Sequence, residues 1–220
     1  MRSIIKSVNS HSEPVRDITA LIFDLGGVLI DWDPRHLYRK LFGDEVQMER
    51  FLGEICTPSW HDQHDRGVST QATCADLAAR HPEWAEYIRA WGERSEEMVG
   101  GAIQATVDVL GDVKGTGLPC YALTNMEAET YPLRLQRFEF LHWFDGTVVS
   151  GFEGMAKPDP EIFRLLLERY SLDPSHTLMI DDRPQNLAPA EMVGLHTLLF
   201  SSPEPLRHEL ESLRLLPARV

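Results

Sequence analysis

Five short apolar runs, spaced along the chain and mostly free of polar interruption, restrict its folding choices more than any other feature. They are Ile18–Phe23, Pro119–Thr124, Thr147–Ser150, Thr177–Asp181 and His196–Phe200. A continuous apolar run of this length reads as a strand covered on both faces, as in a parallel sheet. Helical patterns separate the later runs. Pro160–Tyr170 has proline early and places Ile162, Phe163, Leu166 and Leu167 on one face. Pro189–Val193 reads as a second, short helix closed by Gly194. Strand and helix alternate, which predicts an α/β fold with a doubly wound parallel sheet.

Residues 34–100 break that alternation. They carry helical patterns over Pro34–Phe42, Glu45–Ile55, Thr70–Arg80 and Glu83–Met98, with no strand pattern. Breaks fall at Gly43-Asp44, from Thr57-Pro58 through Gly67, and at His81-Pro82, and Ser69 or Thr70 is placed to cap the third helix. The stretch is too long for a plain crossover connection. It therefore reads as a helical module inserted after the first strand. The expected organisation is a polar extension over 1–17, sheet core over 18–33, helical cap over 34–100, and the rest of the core over 101–220. A helix near Ala102–Lys114 returns the chain to the sheet, and Ser201–Val220 reads as a surface helix and tail.

Charge narrows the function classes. With 21 Lys and Arg against 34 Asp and Glu, the formal net charge is −13. Phosphate polymers need clustered cations, so no nucleic-acid partner is expected. An anionic small substrate would need positive charge supplied locally. No run approaches the ~18 apolar residues of a membrane helix, so no membrane partner is expected either. Three scattered cysteines, Cys56, Cys74 and Cys120, fit buried thiols in a reducing compartment. The first residues lack both a long apolar stretch and a small-residue cleavage site, so a cytoplasmic protein is expected. Oligomeric state is not readable.

In an open parallel sheet, ligands gather beyond the carboxyl ends of the strands. The polar residues there are informative. Strand one ends in Asp24, strand two in Thr124-Asn125, and strand four in Asp181-Asp182, while Lys157-Pro158-Asp159-Pro160 follows strand three. Gathered carboxylates repel unless a cation joins them, and Mg²⁺ is the oxygen-seeking choice. Lys157 and such a metal together would hold a phosphoryl group, with Asp24 placed to attack it.

These segments read IFDLGGVLID (22–31), ALTNM (122–126), GMAKPDPEIF (154–163) and MIDDRPQN (179–186). In this order and at these separations they resemble the haloacid dehalogenase-like superfamily, in the branch with a helical cap after the first strand. The resemblance covers nearly everything from Ile18 to about Phe200. It implies that Asp24 is a nucleophile forming an aspartyl-phosphate. It implies that Thr124 and Asn125 bind a phosphate oxygen and that Lys157 neutralises developing charge. It assigns Mg²⁺ to Asp24, the Gly26 carbonyl and Asp182, with Asp181 holding a metal-bound water or orienting Lys157. Asn186 falls where many relatives have another acid, in a supporting position.

Gly26 departs from the pattern. In most phosphatases of the family this position holds a second Asp, which protonates the leaving group. Glycine keeps the carbonyl and loses the acid. Losing a general acid costs about 10²–10⁴ in rate, which weakens catalysis without abolishing it. Asp31 and Asp33 lie nearby but read better as loop and hinge residues. The expected activity is Mg²⁺-dependent hydrolysis of a small phosphorylated metabolite, such as a sugar phosphate. Its rivals are a metal-independent 2-haloacid dehalogenase using the same Asp24 and a non-catalytic phosphate-binding protein. The acidic pair favours phosphate chemistry, because two carboxylates beside Asp24 oppose a carboxylate substrate.

Within 34–100, Trp60, Arg66, Arg35 and Arg39 are candidate substrate contacts, whereas Trp84, Tyr87 and Trp91 sit at core spacing. His61, Asp62, His64 and Asp65 resemble a metal cluster, but a polar inter-helix loop explains them more cheaply.

Overall fold

Alternation along each strand sends side chains to two faces, and both faces are buried. In the computed structural model of the chain, which describes residues 17–218, Leu21 and Phe23 join one core while Ile22 joins another. Leu178 and Ile180 again face the first core and Met179 the second. The expected extension over 1–17 lies outside the described residues, apart from Asp17.

The elements run in order as follows. Strands β1 (Ala20–Phe23) and β2 (Ile30–Trp32) precede helices α1 (Arg35–Leu41), α2 (Glu45–Glu54), α3 (Pro58–Asp65), α4 (Thr70–Arg80) and α5 (Ala85–Glu93). Then come β3 (Val99–Ala102), α6 (Gln104–Gly115), β4 (Cys120–Thr124), α7 (Tyr131–Arg137), β5 (Gly146–Val149) and α8 (Ser150–Glu153). The chain continues through α9 (Pro160–Arg169), β6 (Thr177–Asp181), α10 (Pro184–Met192), β7 (His196–Leu199) and α11 (Pro203–Ser212). Five strands form one parallel sheet in the order β5-β4-β1-β6-β7. The order reverses direction at β1, which places the switch point at the end of the first strand. Helices α6 and α11 cover one face and α9 and α10 the other. The sheet is α/β and doubly wound, in the Rossmann manner.

Four local expectations are corrected. The break expected from Thr57 to Gly67 is helix α3. Thr57 accepts a hydrogen bond from the Trp60 backbone N–H at 3.2 Å, and Pro58 occupies the first turn. Threonine followed by proline is a helix start rather than an interruption. The helix expected over Glu83–Met98 is divided into a 3₁₀ turn, α5 and a second 3₁₀ turn. A strand pair absent from the expectation, β2 with β3, is antiparallel and carries the chain out to the helices and back. Helix α10 begins at Pro184, five residues earlier than the reading from Pro189, because proline also suits its first turn.

Helices α1–α5 have their own apolar centre, built on Tyr38, Phe51, Met48, Ile88 and Trp91. The expected surface helix at the C-terminus is anchored, since Leu206 and Leu210 are buried in the sheet core. Cys56, Cys74 and Cys120 are buried and free. Among the described residues no helix is long and apolar enough to cross a membrane.

Phe51 is fully buried and packs against Tyr38, Phe42 and Trp84. Phe51→Ala is expected to cost roughly 3–5 kcal/mol through lost burial and the cavity left behind. Urea denaturation followed by tryptophan fluorescence measures it.

Candidate active site

Strand register brings the polar strand ends together. Phe23 pairs with Ala122 on one side and Ile180 on the other. Asp24, one residue further along, is therefore level with Leu123 and Asp181, and its N–H donates to the Ile180 carbonyl at 2.9 Å. Asp24 is buried, and its Oδ1 accepts from the Leu25 N–H at 2.7 Å.

Lys157 reaches into this row from the loop after α8. Its ammonium lies 3.0 Å from Asp24 Oδ1 and donates to Asp181 Oδ2 at 2.7 Å and to the Leu123 carbonyl at 2.9 Å. Those three partners match the three N–H bonds of an ammonium. Asn125 holds the same loop from below. Its side-chain N–H donates to the Lys157 carbonyl at 2.8 Å, and its Oδ1 accepts the Lys157 backbone N–H at 2.9 Å. Asn125 lines the cavity, but its amide is engaged in positioning Lys157.

Asp181 is fully buried and saturated. It accepts from Lys157, from the Arg183 N–H at 2.8 Å, and from Asn186 Nδ2 at 2.9 and 3.0 Å. Asn186 thus supports Asp181, the position expected of it. Asp182 is different. Its Oδ1 is buried and has no hydrogen-bond partner. Gly27 packs against it so closely that a Cβ there would lie 2.5 Å from Asp182 Oδ2, and Gly27 has φ +75°. Only glycine suits that place. A Cβ on Gly26, by contrast, would meet nothing within 4 Å.

Electrostatics follow from crowding. Burial raises the Asp24 carboxyl to about 7, with the Asp181 and Asp182 charges adding to the rise and Lys157 opposing it. Burial pulls Lys157 down, but Asp24 and Asp181 outweigh it and its ammonium is held above the ordinary value. Asp182 is raised by burial and by Asp181.

Asp24, Asp181 and Asp182 offer oxygen atoms all within 4.8 Å of one another. One ammonium cannot neutralise three carboxylates. The unpartnered Asp182 oxygen and this surplus of oxygen donors fit a hard divalent cation such as Mg²⁺.

Above the strand ends lies a cavity of about 120 Å³. Asp24, Gly26, Thr124, Lys157 and Asp182 line its sheet side. Trp32, His61, Asp65 and Trp91 line the side toward the helices, with Arg134 and Arg183 between. Thr124 is buried at the end of β4. Trp60, Arg66, Arg35 and Arg39 do not line it. Trp60 is buried in the core of the helices, Arg35 pairs with Glu49 and Asp33, Arg39 pairs with Glu45, and Arg66 is exposed. Sequence reasoning missed Trp32, Arg134 and Arg183, and it set His61 and Asp65 aside as loop residues. Arg183 directly follows the strand end at Asp182 and could have been found there; the others come from elements whose packing alone brings them in. Asp31 pairs with His36, and Asp33 accepts the Arg35 N–H at 2.8 Å, so both stay outside the cavity.

A profile of haloacid dehalogenase-like hydrolases matches residues 18–194. The chain belongs to that family. It is a hydrolase by that membership, and its relatives include named phosphatases. It is 31% identical to acyl-CoA dehydrogenase family member 10 of Mus musculus over 93% of its own length, but spans only 20% of that protein. It is 30% identical to sesquiterpene phosphatase astK of Aspergillus oryzae, covering 80% of this chain and 88% of the relative. The magnesium complex of a HAD family enzyme from Bacteroides thetaiotaomicron superposes with a TM-score of 0.68 at 23% identity, over 88% of this chain and 98% of that one. That last likeness shows the shared fold.

The raised Asp24 carboxyl has a consequence for stability without metal. An unfolded Asp titrates near 3.9. A group raised in the folded state adds stability that is complete below that value and lost as pH rises toward 7. In chelator, Asp24→Asn should therefore gain stability over the wild type as pH rises from 5 to 8. Thermal melts of both proteins across that range check the sign, and a constant difference would contradict it.

Proposed function

We propose that the chain is a divalent-metal-dependent phosphatase acting on a small phosphorylated metabolite, with a sugar phosphate the favoured class. One observation carries this reading above the others. Asp182 presents a buried, unpartnered oxygen beside Asp24, in a site with more carboxylate than its single ammonium neutralises. Phosphatase relatives among the hydrolases it resembles support the same chemistry. Metal-independent dehalogenation has no use for such a surplus.

Asp24, Asp182 and the Gly26 carbonyl would hold Mg²⁺, with Asp181 beside them. When bound, the ion supplies positive charge to the phosphate oxygens. Asp24 attacks phosphorus in line and takes the phosphoryl group as an aspartyl-phosphate, while the ester P–O bond breaks and the alcohol departs as an alkoxide that takes its proton from water, since Gly26 supplies none. Lys157 keeps the nucleophile and Asp181 in place and adds charge to the transferring group. Thr124 and the backbone N–H groups after Asp24 orient the phosphate oxygens. Water then cleaves the aspartyl-phosphate. Residues 34–100 act as a cap that opens for the substrate and closes over it, excluding bulk water.

A panel of phosphate esters with and without Mg²⁺ tests the activity. Turnover should require the metal, and Asp24→Asn should abolish it. Retained hydrolysis in that variant, or chloride release from 2-chloropropionate in chelator, would overturn the reading.

Gly26 sets the substrate preference. With no acid at this place, esters with good leaving groups should turn over best. The open space at its Cβ admits a carboxyl side chain. Gly26→Asp should raise kcat on alkyl phosphates by roughly 10²-fold or more, with little gain on aryl or acyl phosphates. An equal change on all classes would remove protonation as the limit.

A further inference from the structure

A second cluster of metal-ligating side chains lies between the helices and the sheet, and one of its contacts is left unresolved by protein groups. His61 and His64 stand three residues apart on α3, so their rings share one face. Glu127 comes from the loop after β4. Ligand atoms of all three lie within 4.8 Å of one another.

The tautomer of His64 follows from its neighbours. The Thr73 hydroxyl donates to the Thr70 carbonyl at 3.0 Å. Its oxygen is then free to accept, and His64 Nε2 lies 2.6 Å away. Nε2 carries the proton, which leaves a lone pair on Nδ1. That atom is buried, lacks a hydrogen-bond partner, and faces Glu127 Oε1 at 3.5 Å. The His64 side chain has no solvent exposure at all. An acceptor sealed from water and facing a carboxylate oxygen, as His64 Nδ1 is, is costly. A shared proton would draw them to about 3 Å or less. Zinc ligands at about 2.0–2.2 Å in a tetrahedron stand roughly 3.3–3.6 Å apart, and the His64–Glu127 separation of 3.5 Å falls in that range.

The rest of the surroundings suit an ion. A liganding histidine ordinarily donates its other N–H to a fixed acceptor, and the Thr73–Thr70 relay provides one. Burial holds His64 near 4, and burial with the neighbouring His64 and Arg183 holds His61 near 3. Both imidazoles are neutral, the form that binds metals. His61 is further fixed by stacking on Trp32 at 5.0 Å.

The geometry points to a second divalent-metal site, formed by His61, His64 and Glu127, for a cation of the Zn²⁺ class. Two imidazoles and one carboxylate favour such a borderline ion over Mg²⁺. The site shares no ligand with the carboxylate centre at Asp24, although His61 and Glu127 line the same cavity, and it does not depend on the phosphatase reading. It ties α3 to the loop that follows β4, because its ligands come from both.

Titration of the full chain with Co²⁺ under saturating Mg²⁺ tests this. The wild type should bind one equivalent that Mg²⁺ does not displace, with visible d–d bands that Zn²⁺ abolishes. Calorimetry with Zn²⁺ should show affinity lowered at least roughly tenfold by Glu127→Gln and by His61→Asn, which spare the buried His64. Asp182→Asn should leave that affinity intact. Absence of a Mg²⁺-insensitive equivalent in the wild type, or unchanged Zn²⁺ affinity in both ligand variants, overturns the proposal.

Discussion

The Lys157 ammonium is the interaction on which the site depends. It is buried among Asp24, Asp181 and the Leu123 carbonyl, so it touches the ends of β1, β4 and β6 at once. A buried cation survives only when paired and fully hydrogen-bonded, and here every donor is used. The pairing also fixes the geometry of the acids. Asp181 is oriented by Lys157, Asn186 and the Arg183 N–H, while Asp24 stays aimed at the cavity. Asn125 secures the backbone that carries the lysine.

That pairing leaves an imbalance. Three carboxylates face one ammonium, and Asp182 keeps an oxygen without a partner. A divalent cation corrects both the charge and the empty coordination. On the proposed phosphatase reading, the same reasoning reconciles a net charge of −13 with an anionic substrate: Asp24, Asp181 and Asp182 would serve the metal, while Arg183 and Arg134, the latter paired with Glu96, line the cavity.

The sheet and its reactive row were legible because their signals are local. Apolar runs ending in Asp24, Thr124 and Asp181-Asp182 announce both the strand and the position of the ligand edge. The helices were legible where apolar spacing or a cap marked them, as with Ser69 at the start of α4. Helix α3 is hidden in the sequence because Thr57-Pro58 fits a break as well as a helix start. The cavity roof was not legible. Trp32 lies on a short strand that exists only by pairing with β3, and Asp65 comes from α3, which carried no strand-end signal.

From the sequence come the five strands of the main sheet, most of the helices, the place of Asp24 at a strand end and the absence of an acid at Gly26, all of which rest on residue type, periodicity or spacing; the family rests on the resemblance of four ordered segments. Tertiary structure decided that Lys157 bridges two acids, that Asn125 serves the lysine loop, and that Arg35 and Arg39 pair at the surface away from the cavity. It also decided that His64 meets Glu127 across the boundary of helices and sheet. Such contacts join residues far apart in the chain, and their distances follow from register and packing, which no local pattern encodes.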